Sequence, residues 1–255
     1  TFLRSQATSS STVHFDNWCC GQGGYVNDSK FLFNEAQNYA VGEWDNWIDG
    51  QPRTISKNIT AIGNKSTNGP LFRLMGVGNG SEVVLNNWLV AKNEWPSWQS
   101  MFEYNWMIAQ VNHATIVQNQ GGPVFRIGEE GKLYVTNSII DNNGGSLDVS
   151  NSQAPTTTKT YFSNVAWDGT VPSIGSHTHV NNISMSGIYF QDTASNNYAL
   201  ARTASVIGGG QSSITMGNKT ILSSSKDLNN GARPLPVSTN PDLGAIESIY
   251  GSPQV

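Results

Sequence analysis

The sequence predicts an all-β fold in which short strands wind into a solenoid, and an internal echo is the first observation behind this prediction. Residues 58–93 are echoed by residues 113–143, and each copy holds three short apolar runs separated by turns rich in glycine and asparagine. Because such a unit cannot bury its apolar face alone, it must stack on a neighbour. The runs are 59–64, 69–74 and 85–90 in the first copy, and 114–119, 122–127 and 135–140 in the second.

The composition is the second observation. Charged residues make up only 13% of the chain, well below the usual quarter, but recurring β-branched and aromatic runs bounded by glycine or asparagine argue for strands rather than disorder. The segment 97–109 is the exception and is predicted as a short helix or a folded loop. Candidate strands lie at 12–15, 31–33, 59–62, 71–74, 83–85, 89–91, 115–117, 124–127, 133–135, 138–140, 184–189 and 220–222.

Charge and hydropathy exclude two classes of function. The net charge is −4 and lysine and arginine form no cluster, so the chain lacks the electrostatic footprint of a nucleic-acid-binding protein. Since no apolar run approaches 18 residues, the sequence predicts no membrane span.

The N-terminal end of the stack is predicted to be open. The chain starts on Thr1-Phe-Leu-Arg, which reads as a strand, and we expect upstream sequence to have been removed; a native start with a ragged first strand is the alternative. An open end predicts self-association or contact with another surface protein. Cys19 and Cys20 are adjacent, and two unpaired thiols are favoured over a strained ring between neighbours.

Roughly the last half of the chain carries a family resemblance, which includes a coil-like segment at 135–143. Asp-Leu-Asn-Asn-Gly-Ala-Arg-Pro occupies 227–234 and Pro-Asp-Leu-Gly-Ala-Ile-Glu occupies 241–247, after related segments at 184–190, 197–200 and 204–210. This order resembles the closing module of secreted right-handed parallel β-helix proteins, which are common on bacterial surfaces and share the pectate-lyase-like fold. An additional Asn and the Leu and Ile replacements depart mildly from the family pattern, and 204–210 matches less well.

The resemblance implies a single-domain, single-stranded right-handed parallel β-helix with loop insertions and a C-terminal cap. Residues 1–165 would form the coils, with aromatic-rich insertions at 35–53 and 93–107, and residues 166–255 would form the last coils and the capping module. Asparagine at the turns would tolerate left-handed backbone and form amide ladders between coils. Asp242 and Glu247 are then interpreted as acceptors for backbone N–H groups of the cap rather than as catalysts.

The insertions supply the candidate ligand-binding residues, because aromatic rings stack on the apolar faces of sugars. Three uses remain open: a satellite core on the flank of the solenoid, a glycan groove, or an anchor for a protein partner. The candidates are Trp44, Trp47, Trp95, Trp98, Tyr104 and Trp106.

No catalytic or metal site is predicted. The carboxylates Glu43, Asp45, Asp49, Glu94 and Glu103 show no spacing that selects a catalytic pair. Arg73 and Arg126 occupy equivalent points of the repeat and should point outward, and Lys92, Tyr104 and His113 lie near the aromatic region, but no lyase signature surrounds them. A lyase would use Ca²⁺ on carboxylates or an arginine. His177 and His179 share one strand face, yet a zinc site needs a third ligand.

Six Asn-x-Ser/Thr sequons are glycosylation candidates if the host is a secreting eukaryote, although the composition produces about as many by chance. They lie at Asn27, Asn58, Asn64, Asn79, Asn182 and Asn218.

The sequence therefore predicts an extracellular or cell-surface protein that is structural or adhesive rather than catalytic, and that forms part of a filament or layer. The alternatives are an extracellular polysaccharide lyase or glycoside hydrolase, and a glycan-binding module that uses the tryptophan-rich insertions.

Overall fold

A computed structural model describes residues 2–3, 6–7, 14–17, 25–46, 53–76, 81–128, 131–141, 143, 147–148, 159–170, 176–183 and 190–254. These residues form strands and turns and contain no helix. The predicted all-β class is confirmed, and the short helix considered for 97–109 is wrong: a turn there leads into the strands Phe102–Asn105 and Ile108–Asn112.

Parallel stacked strands form the three sheets of the solenoid. The largest sheet contains Phe2–Leu3, Tyr25–Asn27, Lys30–Leu32, Arg53–Ile62, Glu82–Ala91, Ile108–Asn112, Thr115–Val117, Lys132–Asp141, Lys159–Trp167 and Ser176–Val180. The second contains His14–Asn17, Gly42–Asn46, Phe72–Gly76, Phe102–Asn105, Phe125–Ile127 and Leu147–Asp148. The smallest contains Gln6–Ala7, Glu35–Ala36 and Lys65–Ser66.

The two copies of the sequence echo occupy equivalent positions in the solenoid, and one further turn lies between them. Phe72 pairs with Phe102 and Phe102 pairs with Phe125, so the echoed phenylalanines lie two turns apart. The intervening strand, Phe102–Asn105, comes from the segment predicted as the second insertion, and Gly42–Asn46 comes from the first. Both aromatic segments therefore contribute regular strands, which the irregular spacing of their apolar residues had hidden.

Each turn of the large sheet has one corner residue with a left-handed backbone, and asparagine occupies most of these corners. The corner residues have φ between 49° and 57°, the left-handed region that asparagine tolerates better than most residues. The ladder register stacks them into one column, as the sequence predicted for turn asparagines. The column contains Asp28, Asn58, Asn87, His113, Asn137, Asn164 and Asn181.

A second asparagine column forms a buried amide ladder, which was also predicted. The side chain of each member donates from Nδ2 to Oδ1 of the next at 2.8 to 2.9 Å. Because the donor and the acceptor of each inner amide are satisfied by its two neighbours, these polar groups can be buried. The members are Asn34, Asn64, Asn93, Asn119 and Asn143.

Aromatic rings fill the interior. Phe72 and Phe102 stack with 4.6 Å between ring centroids, and Phe125 continues the stack at 5.5 Å from Phe102. Trp88 packs against Phe72 and donates its indole N–H to the carbonyl oxygen of Ser56 at 3.1 Å. The core therefore continues from turn to turn.

The C-terminal module, residues 190–254, lies along the side of the solenoid. It begins with two antiparallel hairpins, Phe190–Asp192 with Asn197–Leu200 and Ser213–Met216 with Lys219–Leu222. Its apolar residues, among them Leu243, pack on Leu89 and Ile139 of the outer face of the large sheet. The module was predicted as a cap. Its described residues cover the side of several turns, because the apolar outer surface of the large sheet lies there. The strand predicted at 184–189 lies outside the described residues.

Candidate functional site

A buried ionic cluster joins the C-terminal module to the solenoid. Arg233 donates from Nε to Glu247 Oε2 at 2.9 Å, from Nη1 to Asn87 Oδ1 at 2.9 Å and from Nη2 to the Gly244 carbonyl at 3.0 Å. The side chains of Arg233 and Glu247 are 0% and 1% exposed. Because both side chains are closed to solvent, the cluster fits a structural contact between the module and the solenoid rather than a site open to substrate.

The two carboxylates predicted as cap acceptors have that role. Asp242 accepts backbone N–H bonds from Gly208 and Ser248 at 2.7 Å each, and Glu247 accepts one from Leu235 at 3.1 Å. Burial, together with the Asp242 carboxylate, raises the pKa of Glu247 to about 7, and the Arg233 charge partly offsets this.

His113 is the one histidine in the left-handed corner column. It is fully buried, and its Nε2 lies 2.7 Å from Ser223 Oγ in the module. Burial and the Arg233 charge lower the pKa of His113 well below its usual value. Lys92 also holds the module, through its ammonium bond to Asn196 Oδ1 at 2.8 Å. Neither residue lies beside the aromatic candidates as a catalytic group.

The structure divides the aromatic candidates between core and surface. Trp95 is 4% exposed and Tyr104 is 1% exposed, so both pack in the core. Trp98 and Trp106 are 58% and 40% exposed. Trp44 lies in the strand Gly42–Asn46 but its side chain is outside the description, as is the whole of Trp47. The four candidate rings that the structure describes are therefore divided, two in the core and two at the surface.

Charged residues alternate in a column on the second sheet. The ladder register places Glu43 beside Arg73, Arg73 beside Glu103, Glu103 beside Arg126, and Arg126 beside Asp148. Arg73 and Glu43 form an ion pair. Arg73 and Arg126 are both half-buried, and Arg126 is bound to Gln99 Oε1 and to the Trp98 carbonyl. We name this set the charge column.

The histidine pair lies on the last described strand of the large sheet, Ser176–Val180. His177 Nδ1 lies 2.5 Å from Thr160 Oγ1, and the ring of His179 stacks on Phe162 with 4.8 Å between centroids. Burial, and to a smaller extent the charge of His177, lower the pKa of His179. Among the described residues no three His, Cys, Asp or Glu side chains gather into a metal-binding group.

The sequons differ in accessibility. Asn27, Asn182 and Asn218 are exposed and Asn58 is half-buried, whereas Asn64 is fully buried in the amide ladder. Asn79 lies outside the described residues.

A groove of about 280 Å³ separates the large sheet from the hairpin strand Lys219–Leu222. We call it the flank groove. Its floor consists of outward side chains from three successive turns, aligned in two columns by the ladder register. The floor residues are Ile55, Val84 and Gln110 in one column and Lys57, Asn86 and Asn112 in the other; Thr220, Ile221 and Leu222 form the wall.

Two polar atoms of the flank groove, Asn86 Oδ1 and Gln110 Nε2, are buried and have no hydrogen-bond partner among the described residues. This groove was not predicted from the sequence. Its only signal was the run of polar residues at outward strand positions, and the hairpin that closes it comes from more than 100 residues further along the chain.

No family model, curated protein or solved structure matches the chain. The described residues contain no helix that is long and apolar enough to cross a membrane.

Proposed function

We propose that the chain is a non-catalytic structural or adhesive component of an extracellular or cell-surface assembly. The observation that carries the proposal is the turn-to-turn pairing of polar side chains. Five asparagines bind one another through the stack, and the charge column alternates sign at every step. Such columns stabilise a long, regular stack.

The strand at the end of the described stack supports assembly through an edge. Ser176–Val180 pairs with Lys159–Trp167, and no described strand pairs with its other edge. Val180 is 43% exposed. An unpaired strand edge is a template for another chain. The occupant would be a second copy or another surface protein, which would add a strand to this edge.

Association is the direct test. Sedimentation over a range of concentrations should show that the protein self-associates, and Val180→Lys should weaken this, because a charge on an edge strand opposes pairing. Val237→Lys is the matched control, because Val237 is 80% exposed and lies in the module. A chain that stays monomeric at all concentrations, or that associates equally well with Lys at 180, would contradict assembly through this edge.

Turnover is the second test. Incubation with uronate and neutral glycans, followed by ultraviolet absorbance of unsaturated products and by reducing ends, should give no reaction. Turnover that Glu103→Ala or Lys92→Ala abolishes would favour the polysaccharide lyase or glycoside hydrolase instead.

A further inference from the structure

The flank groove holds an unsatisfied acceptor and an unsatisfied donor. Asn86 Oδ1 can accept and Gln110 Nε2 can donate, and neither atom has a partner in the part of the chain that the structure describes. Gln110 is 4% exposed. Buried polar groups in native proteins are almost always hydrogen-bonded, so two unpaired atoms on one groove floor need a physical explanation.

The pair of atoms selects a class of ligand. A hydroxyl group both donates and accepts, so one kind of functional group satisfies both atoms. An anion would satisfy only the Gln110 donor, and a cation only the Asn86 acceptor. The groove also presents the apolar side chains of Ile55, Val84 and Ile221. Hydroxyls beside an apolar face are the chemistry of a neutral sugar.

An exposed aromatic ring continues the groove. Tyr25 pairs with Ile55, Ile55 with Val84, and Val84 with Gln110, so these four residues form one outward column. Tyr25 is 69% exposed. Since turns are spaced by about 4.8 Å, Tyr25 lies about 14 Å from Gln110 along the stack. This length fits more than one sugar ring, with the Tyr25 ring as a stacking platform.

Access to the two amides requires only local motion. The hairpin wall is held by a bond from Asn112 Nδ2 to the Leu222 carbonyl at 3.1 Å and by the ion pair of Lys219 with Glu82. The terminal torsions of asparagine and glutamine are broad, so the Asn86 and Gln110 amides can turn into the groove while these contacts remain.

We propose that the flank groove and Tyr25 form a binding site for a short neutral oligosaccharide. The Tyr25 ring stacks on one sugar ring, and the amides of Asn86 and Gln110 bind the hydroxyls of the next. This site goes beyond the structural function proposed above, and neither depends on the other, since assembly requires no sugar.

Ligand-observed NMR and calorimetry with the full chain test the site. The probes are neutral trisaccharides of glucose, galactose and N-acetylglucosamine, a galacturonate trimer as the anionic probe, and N-acetylglycinamide as the amide probe. We expect at least one neutral trisaccharide to bind, and Tyr25→Ala and Gln110→Leu each to weaken it by about tenfold. Phe33→Ala is the matched control, because Phe33 is 48% exposed and lies outside the flank groove, and it should leave binding unchanged. Trp98→Ala tests the other exposed aromatic candidate and should also leave binding unchanged.

The unfolding midpoint separates binding from folding. Gln110→Leu and Asn86→Leu each remove one buried polar atom that has no partner among the described residues, so they should not lower the midpoint. Tyr25→Ala changes an exposed ring and keeps the test valid if a leucine variant fails to fold. The proposal is overturned if no neutral trisaccharide binds at about 10 mM, which would leave water as the partner of the amides. Loss of binding in Trp98→Ala but not in Tyr25→Ala, or binding of only the anionic or the amide probe, would also overturn it.

Discussion

Asn87 and Arg233 are 146 residues apart in the sequence and share a buried hydrogen bond of 2.9 Å. Asn87 belongs to the left-handed corner column, and Arg233 belongs to the module that lies on the flank. The Asn87 amide also donates to Asn58 Oδ1 and to the Lys226 carbonyl. One side chain therefore satisfies the corner of the solenoid and fixes the module, so the two should unfold together.

Arg233→Met tests this coupling. The substitution leaves the Glu247 carboxylate buried without its charged partner, which typically costs about 3–5 kcal/mol. Urea denaturation should show the loss as a single transition at a lower midpoint.

Arg202→Met is the control, because Arg202 is exposed, and it should change stability little. The double substitution Arg233→Met with Glu247→Leu should recover much of the loss, since it removes the stranded charge as well. A two-step transition in the single variant would contradict the coupling of module and solenoid.

The amide ladder predicts a large effect at its centre. Asn93 Oδ1 accepts from the backbone and side-chain N–H groups of Asn64, and Asn93 Nδ2 donates to Asn119 Oδ1 and to the Ala61 carbonyl. Asn93→Ala leaves several buried groups unpaired, each costing about 1–3 kcal/mol. We expect at least about 2 kcal/mol less free energy of unfolding in urea. Asn229→Ala, at an exposed asparagine, should be near neutral, and equal effects would refute the ladder's role.

The sequence predicted what local patterns encode. Apolar runs bounded by glycine or asparagine predicted the long strands Glu82–Ala91 and Lys132–Asp141 but missed others, among them Lys159–Trp167. The chemistry of asparagine predicted both the left-handed corners and the ladder. The charge column was not predicted, because successive turns differ in length: equivalent ladder residues are 30, 29, 26 and 24 positions apart. Which residues lie side by side in turns of unequal length is decided by strand pairing, and a fixed spacing in the sequence does not show it. The flank groove was missed for a related reason, since its wall folds back from a distant hairpin.

The pKa of His113 predicts a pH-dependent stability. Because burial lowers that pKa in the folded state, the unfolded chain takes up a proton below about pH 6.5 and the folded chain does not. The stability contributed by neutral His113 is therefore complete above about pH 6.5 and is lost as the pH falls, by up to about 1.4 kcal/mol per pH unit.

His113→Asn isolates this effect, because asparagine occupies the neighbouring corners at Asn87 and Asn137 and suits the left-handed backbone. The free energy of unfolding of the wild type minus that of the variant, measured from pH 8 to pH 5, should fall with pH. A difference that stays constant over this range would show that His113 titrates alike in both states.

The amide ladder also predicts which sequon stays unmodified. The Asn64 amide lies inside the ladder with 0% exposure, and its Nδ2 is already bonded to Asn93 Oδ1 at 2.8 Å. A glycan there would break the stack. In chain secreted from a eukaryotic host, mass spectrometry of glycopeptides should find Asn64 unmodified in all folded material. Any glycans should lie at exposed sites such as Asn27 and Asn218. Folded protein with a glycan on Asn64 would contradict the ladder.

The charge column predicts that reversing the charge at residue 103 lowers stability more than removing the charge. Glu103 lies between Arg73 and Arg126 in the ladder register, so Glu103→Lys places three positive charges side by side. Like charges on adjacent strands repel, and exchanging attraction for repulsion should cost about 1 kcal/mol at low salt. Glu103→Gln removes the attraction without adding repulsion and should cost about half as much.

Thermal unfolding of both variants at low and at high salt separates electrostatics from packing, because salt screens the repulsion between half-exposed groups. The two variants should converge as salt rises; a gap that persists at high salt would assign the effect to the shape of the lysine side chain.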